Sequence, residues 1–192
     1  MDPEFDAYSR PDELLAVVDE NDVEIGGERR DVIHRMNLLH RAIHLIVTNS
    51  RGEILIQKRS SLKDTYPLHW ECVGGHLAPG EQYEAAALRE IREELGIEVP
   101  EVHEVGKLKA CSETGWEFIT VFLARTDMAP NPNAGEVIAT EWIIPQALER
   151  ELAESDSARG RRRLFSPSFV HTLRQTNVLS MLAQGAKGLF GE

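Results

Sequence analysis

Cysteine is scarce in this chain. Of 192 residues only Cys72 and Cys111 carry a thiol, too few for a disulfide framework, and free thiols in a reducing cytoplasm are expected. Long hydrophobic runs are lacking as well. The longest are a few residues, far short of the roughly 20 that cross a bilayer, so no membrane partner is expected. No secretory leader is visible at the start, and the first five residues, MDPEF, read as a vector-derived scar outside the fold. Basic residues are outnumbered, 21 Lys and Arg against 32 Asp and Glu, for a net charge of −11. Such a chain lacks the cation–phosphate contacts that drive nucleic-acid binding, so nucleic acid is not an expected partner. Small phosphates remain within reach of an acidic protein if metal ions and a few local cations invert the field. Internal repeats are absent. The length suits one domain, expected over residues 6–184, with 185–192 as a frayed tail.

What is present is concentrated between Gly75 and Ile97, GHLAPGEQYEAAALREIREELGI. A Gly-rich turn, Gly74 and Gly75 followed by Pro79-Gly80, ends a strand and opens a helix expected from about Glu81 to Leu95. Gly96 stands where a left-handed C-terminal residue is wanted. Leu88, Ile91 and Leu95 fall at i, i+3 and i+7 and make an apolar stripe. Glu90, Glu93 and Glu94 fall at i, i+3 and i+4 on a different face. Like charges at that spacing repel, and none of the three has a Lys four residues on. A divalent cation would remove the repulsion, and clustered carboxylates suit Mg²⁺ or Mn²⁺.

In chain order, Leu14–Val18 and Val23–Gly26 read as a hairpin, and 29–38 as a helical turn. Strands follow at 41–48, 53–58 and 70–73, the last leading into the glycine pair. Beyond the acidic helix, 105–111 and 116–125 are strands around a Ser112–Gly115 turn. The breaker-rich 129–135 precedes a strand at 136–143. Pro145 opens a helix, 154–163 is a polar loop, and Ser166-Pro167 caps a last helix over about 168–183. The pattern predicts an α+β fold with helices on both sides of a mixed sheet.

The Gly75–Ile97 stretch resembles the Nudix box at every defined position: Gly75, Glu81, then Arg89-Glu90 through Glu93-Glu94 to Gly96. The resemblance extends over roughly Leu14 to Leu182. Within the Nudix superfamily it is similar to the isopentenyl-diphosphate isomerase-like branch, on Leu39–Ala42, on Lys58-Arg59 with Lys63, Pro67 and Trp70, on Glu117 with Val121-Phe122, and on Phe165–Pro167. It implies the Nudix mixed-sheet α/β/α sandwich. Two departures separate this chain from the isomerases. The isomerase cysteine falls at Gly74, with Cys72 two residues earlier, and an isomerase glutamate falls at Gly115. The box itself is intact here, which favours phosphate chemistry.

The resemblance also implies roles. Glu90, Glu94 and the Gly74 carbonyl form the metal set, with Glu93 as a further ligand or base. Glu81 is an outer contact, Arg89 holds a box carboxylate in place, and Gly75 and Gly96 support the geometry. Glu136 occupies a position where many Nudix enzymes supply an extra carboxylate, with Glu117 as a rival base or substrate contact. Arg59 and Lys63 match diphosphate-contacting cations. His40 and His76 match isomerase metal-site histidines, and His34 lies one residue out of register with a third; packed, hydrogen-bonded histidines are the favoured reading. Trp142 is a base-stacking or core residue, and the arginines at 159 and 161–163 are a solvated basic loop. The expected activity is Mg²⁺- or Mn²⁺-dependent hydrolysis of the diphosphate linkage in a nucleoside diphosphate joined to another moiety, by a cytoplasmic monomer or homodimer. The alternatives are an isopentenyl-diphosphate isomerase and a non-catalytic nucleotide-sensing module.

Overall fold

The architecture follows from one strand that is buried on both faces. In β3 (His40–Thr48) every residue except Arg41 is shielded from solvent, the pattern of a strand covered on both sides. Alternation sorts its side chains. Ala42 and Ile46 enter one apolar cluster, and Ile43, Leu45 and Val47 enter another. A computed structural model describes residues 10–155 and 163–184. Met1–Phe5, the tail 185–192 and Arg159, Arg161 and Arg162 lie outside the described residues.

Along β3 runs β8 (Glu117–Arg125), parallel and in register from His40–Glu117 to Thr48–Arg125. The opposite edge of β3 is shared. β1 (Leu14–Val18) meets it at His40, β6 (Val73–His76) pairs antiparallel with Ala42–Leu45, and β4 (Ile54–Arg59) pairs at Val47 and Thr48. β2 (Glu24–Arg29) extends β1, β7 (His103–Leu108) extends β8, and β5 (Trp70–Glu71) and β9 (Val137–Ile143) flank β4. The first helix, α1 (Arg30–Met36), is followed by Asn37 in the left-handed conformation. The acidic helix α2 (Tyr83–Leu95) covers one face through Ala86, Ala87, Ile91 and Leu95. Helices α3 (Pro145–Ser155), α4 (Pro167–Gln175) and α5 (Val178–Ala183) cover the other through Leu148, Leu152, Phe169, Leu173, Val178 and Leu182. This is the mixed sheet between helical layers that the pattern predicts. No helix among the described residues is long and apolar enough to cross a membrane.

Three local expectations are corrected. Gly74 and Gly75 do not form a turn. They continue β6 in register with His44 and Ile43, and the chain turns later, at Pro79-Gly80. The box helix starts at Tyr83, so Glu81 precedes it and accepts the Ala78 N–H at 2.9 Å. The last helix is two helices. Thr176 is extended, its hydroxyl donating to the Thr172 carbonyl at 2.8 Å, and the chain restarts at Val178. A β-branched residue bonding back to the preceding turn disfavours a straight helix at that point.

Candidate active site

The three box carboxylates do not share one environment. Glu90 and Glu94 are nearly buried, at 8% and 4% exposure, whereas Glu93 is exposed. Burial pushes the Glu90 carboxyl up to about 7 despite the adjacent Arg89. Burial and then the Glu90 charge push Glu94 well above the usual carboxylate range. Glu90 reaches the sheet only because Gly75 has no side chain: a Cβ there would overlap the Glu90 carboxyl. Arg89 organises the mouth of the helix. Its Nε and second terminal nitrogen grip both Glu81 oxygens at 2.8 and 3.0 Å, and its other terminal nitrogen reaches Glu90 at 2.6 Å and Glu93 at 3.4 Å. It also donates to the His76 carbonyl at 3.0 Å. The far end of α2 closes on Gly96, left-handed at φ 61°.

The same helix end anchors a loop. Asn131 N–H donates to the Leu95 carbonyl at 2.8 Å and Asn133 N–H to the Glu94 carbonyl at 2.9 Å, satisfying carbonyls that a helix C-terminus leaves open. This docking carries Glu136 to the rim of a cavity of about 280 Å³, which Gly74, Glu90, Glu93, Glu94, Arg59 and Lys63 also line. Lys63, 8% exposed, sits 3.3 Å from Glu136. Arg59 sits 2.6 Å from Glu71 and donates to the Thr65 carbonyl at 3.0 Å. Neither cation is a surface base. Each is held by an acid on the cavity wall.

Around the edge of β6 lies a second constellation. His40, Gly74, His76 and Glu117 share the sheet face opposite Ile43 and Gly75. His34, from α1, joins them, and one ligand atom from each of His34, His40 and His76 falls within 4.8 Å of the others. His76 Nε2 is 3.0 Å from Glu117. The His40 Nδ1 is 2.8 Å from the Leu38 carbonyl, so that nitrogen bears the proton. Its Nε2 faces Glu117 at 3.6 Å and makes no hydrogen bond among the described residues. Burial holds His76 down at about 3 and lowers His34, so both imidazoles are neutral near pH 7, as a metal requires. Burial alone would raise Glu117, but the flanking His40 and His76 imidazoles outweigh it and keep its carboxyl far below the usual range. Such an acid is a weak base.

Both groups of residues fit a divalent cation. In the first, two buried carboxylates face each other's charge; in the second, the His40 Nε2 is buried with no hydrogen-bond partner among the described residues, beside the rings of His34 and His76. A cation relieves each, with carboxylates suiting Mg²⁺ and imidazoles a borderline metal.

The NUDIX domain family matches residues 38–164, well over half of the sequence. This chain belongs to the Nudix family. A Nudix hydrolase of Nostoc sp. is 33% identical over 151 residues, 77% of this chain and 89% of that protein. An isopentenyl-diphosphate Delta-isomerase of Paenarthrobacter aurescens is 32% identical over 154 residues, 76% of this chain and 84% of that protein. A crystal structure of a Deinococcus radiodurans protein superposes with a TM-score of 0.72 at 26% identity, covering 85% of this chain and 98% of that one.

Within this Nudix chain the residues singled out from the sequence do converge: the box acids, Gly74, Glu117, Glu136, Arg59 and Lys63 line one cavity. His34 and His76 also line it, with His40 buried beside them, and the three are packed ring to ring, His40 and His76 hydrogen-bonded to the Leu38 carbonyl and to Glu117. Trp142 packs beside the α2-facing core and Arg163 pairs with Glu141 at 2.6 Å over the Trp70 ring, so neither reaches the cavity. Reading the sequence missed Gln57 and Glu71, which hold Glu94 and Arg59. The one available signal for Gln57 is a polar residue closing an apolar strand run, Ile54-Leu55-Ile56.

Proposed function

We propose that this Nudix protein is a Mg²⁺-dependent hydrolase that breaks a diphosphate linkage by attack of water on phosphorus, with nucleoside diphosphates joined to a second group as the first substrates to test. The observation that carries the reading is the gathering of Glu90, Glu93 and Glu94 with Arg59, Lys63 and Glu136 around one cavity. Glu90 and Glu94, with the Gly74 carbonyl, would hold the cation. A bound divalent cation neutralises phosphate charge and makes water a better nucleophile at neutral pH. Arg59 and Lys63 orient the substrate phosphates. A phosphate that takes Lys63 releases Glu136 from its ion pair, leaving that carboxylate, with the exposed Glu93, to accept the proton of the attacking water.

A second reading, the isomerase, is favoured by the His34, His40, His76 and Glu117 constellation. It needs a thiol at the substrate. Cys72 is 1% exposed within the apolar cluster under α3, α4 and α5 and is absent from the cavity wall, and burial pushes its thiol well up. The deciding assay follows phosphate release from a diphosphate panel and isopentenyl-to-dimethylallyl conversion side by side, with Mg²⁺. Hydrolysis without isomerisation is expected; isomerisation with no hydrolysis of any substrate would overturn the first reading. In the same assay Cys72→Ser should cost about 1 kcal/mol of stability and leave kcat unchanged. A kcat that collapses with the fold intact would restore the thiol to the chemistry.

A further inference from the structure

Gln57 is a polar side chain in a place that an apolar one would fill at less cost. It lies on β4 after three buried aliphatic residues and is itself 1% exposed. Its sheet neighbours are Glu71 on β5 and Thr140 on β9. Alternation puts it on the face of Leu55, toward α2. Its Nε2 donates to Glu94 Oε2 at 2.8 Å. Its Oε1 is buried with no hydrogen-bond partner among the described residues. Burying an amide with half of its hydrogen bonding unmet is unfavourable, so the core gains little from this side chain. What the amide does is hold one oxygen of Glu94. Gln57 is not on the cavity wall, whereas Glu94 is. The amide therefore acts from behind the carboxylate and has no contact with anything in the cavity.

We propose that Gln57 is a positioning residue: by tying down Oε2 of Glu94 from behind, it leaves the other carboxylate oxygen directed to the cavity for a divalent cation. The proposal rests on the metal reading of Glu90 and Glu94 above. The physical basis is general. A carboxylate on a flexible stem must lose rotamer freedom when it ligates, and a partner that has already fixed it removes that cost from binding. A donor is required, because an N–H directed at one oxygen strengthens the carboxylate's hold on its orientation without competing for the other lone pairs.

The test is Mg²⁺ titration by calorimetry of the full chain as wild type, Gln57→Leu, Gln57→Met and Glu90→Gln/Glu94→Gln, with Tm measured in the absence of metal. Leucine and methionine both remove the donor while filling the space, so either variant serves if the other misfolds. The expected result is a Mg²⁺ dissociation constant at least about tenfold weaker in both Gln57 variants, with the metal-free Tm equal to wild type or higher. The Mg²⁺ concentration giving half-maximal turnover should rise by the same factor. A merely structural glutamine would show the reverse: a lower metal-free Tm and unaltered affinity. Wild-type affinity in a folded Gln57 variant, with the double variant unable to bind, overturns the proposal and leaves the metal reading standing. If wild type takes up no Mg²⁺, or the double variant binds as wild type does, the metal reading fails and this proposal fails with it.

Discussion

Glu94→Gln and Glu93→Gln should each lower kcat on the best substrate by on the order of 10³, about 4 kcal/mol of transition-state stabilisation, while the protein stays folded. The two differ in what they do to the metal-free fold. Glu94 is buried with a carboxyl pushed well up, so an amide there relieves a desolvated acid and should leave Tm unchanged or raise it. Glu93 is exposed, and its replacement should not move Tm. Glu90 adds a pH signature. Its carboxyl rises from 4.5 to about 7 on folding, so the folded state binds more protons than the unfolded chain. The stability that Glu90 contributes is then full below about pH 4.5 and is lost as pH rises toward 7. Thermal melts of metal-free protein between pH 5 and 7.5 should show this as a difference, the Tm of Glu90→Gln rising relative to wild type as pH rises. Millimolar Mg²⁺ should raise the wild-type Tm at pH 7.5 by mass action and should not raise that of Glu90→Gln/Glu94→Gln. Near-wild-type turnover in both single variants, or an equal Mg²⁺ effect in the double variant, would remove the metal from this helix.

Gly75→Ala should be nearly as damaging to turnover, roughly 100-fold or more, for a steric reason. Gly75 has no positive φ to protect; it is an ordinary strand residue paired with Ile43. Its hydrogen is there because a methyl group would occupy the space of the Glu90 carboxyl. The obstacle is the far end of a flexible side chain, which can swing aside. The fold should therefore survive with a small Tm change, with Glu90 displaced from its partners. Gly74→Ala is the control one residue away. Its Cβ would sit 3.2 Å from the His44 ring and 3.3 Å from the Ile43 carbonyl, tight but away from the carboxylates, so the rate loss should be smaller. Equal kinetics for Gly75→Ala and wild type would mean that Glu90 does not need its observed position.

The acidic face of α2 was legible because helical spacing alone brings i, i+3 and i+4 together. The α/β/α fold was legible because aliphatic alternation and breakers mark strands and turns wherever one local period holds. What local pattern cannot supply is the meeting of distant segments, which the sequence offers only through the family resemblance. His34, His40, His76 and Glu117 come from a helix, two strands and the start of a third, and their meeting depends on the β3–β8 register and on the left-handed Asn37 that returns the chain from α1. No pattern within a window encodes that. The hold of Asn131 and Asn133 on the end of α2 is made by backbone groups, which carry no residue signature. The glycine pair suggests a turn because glycine serves both where the chain must bend and where a neighbour must come close. Here the second use applies.

The parallel pairing of β3 with β8 also sets when the site can exist. His40 and Glu117 are paired neighbours although more than a third of the chain separates them, and a parallel pair cannot be closed by a tight turn. The acid helix and its glycine strand can form early, from local contacts. Glu117 waits for a large loop to close before it can join the histidines, the slow step for contacts of high sequence separation. During synthesis the chain therefore holds the box carboxylates and the three histidines before it holds Glu117, so the full cavity is assembled only once β8 has joined the sheet.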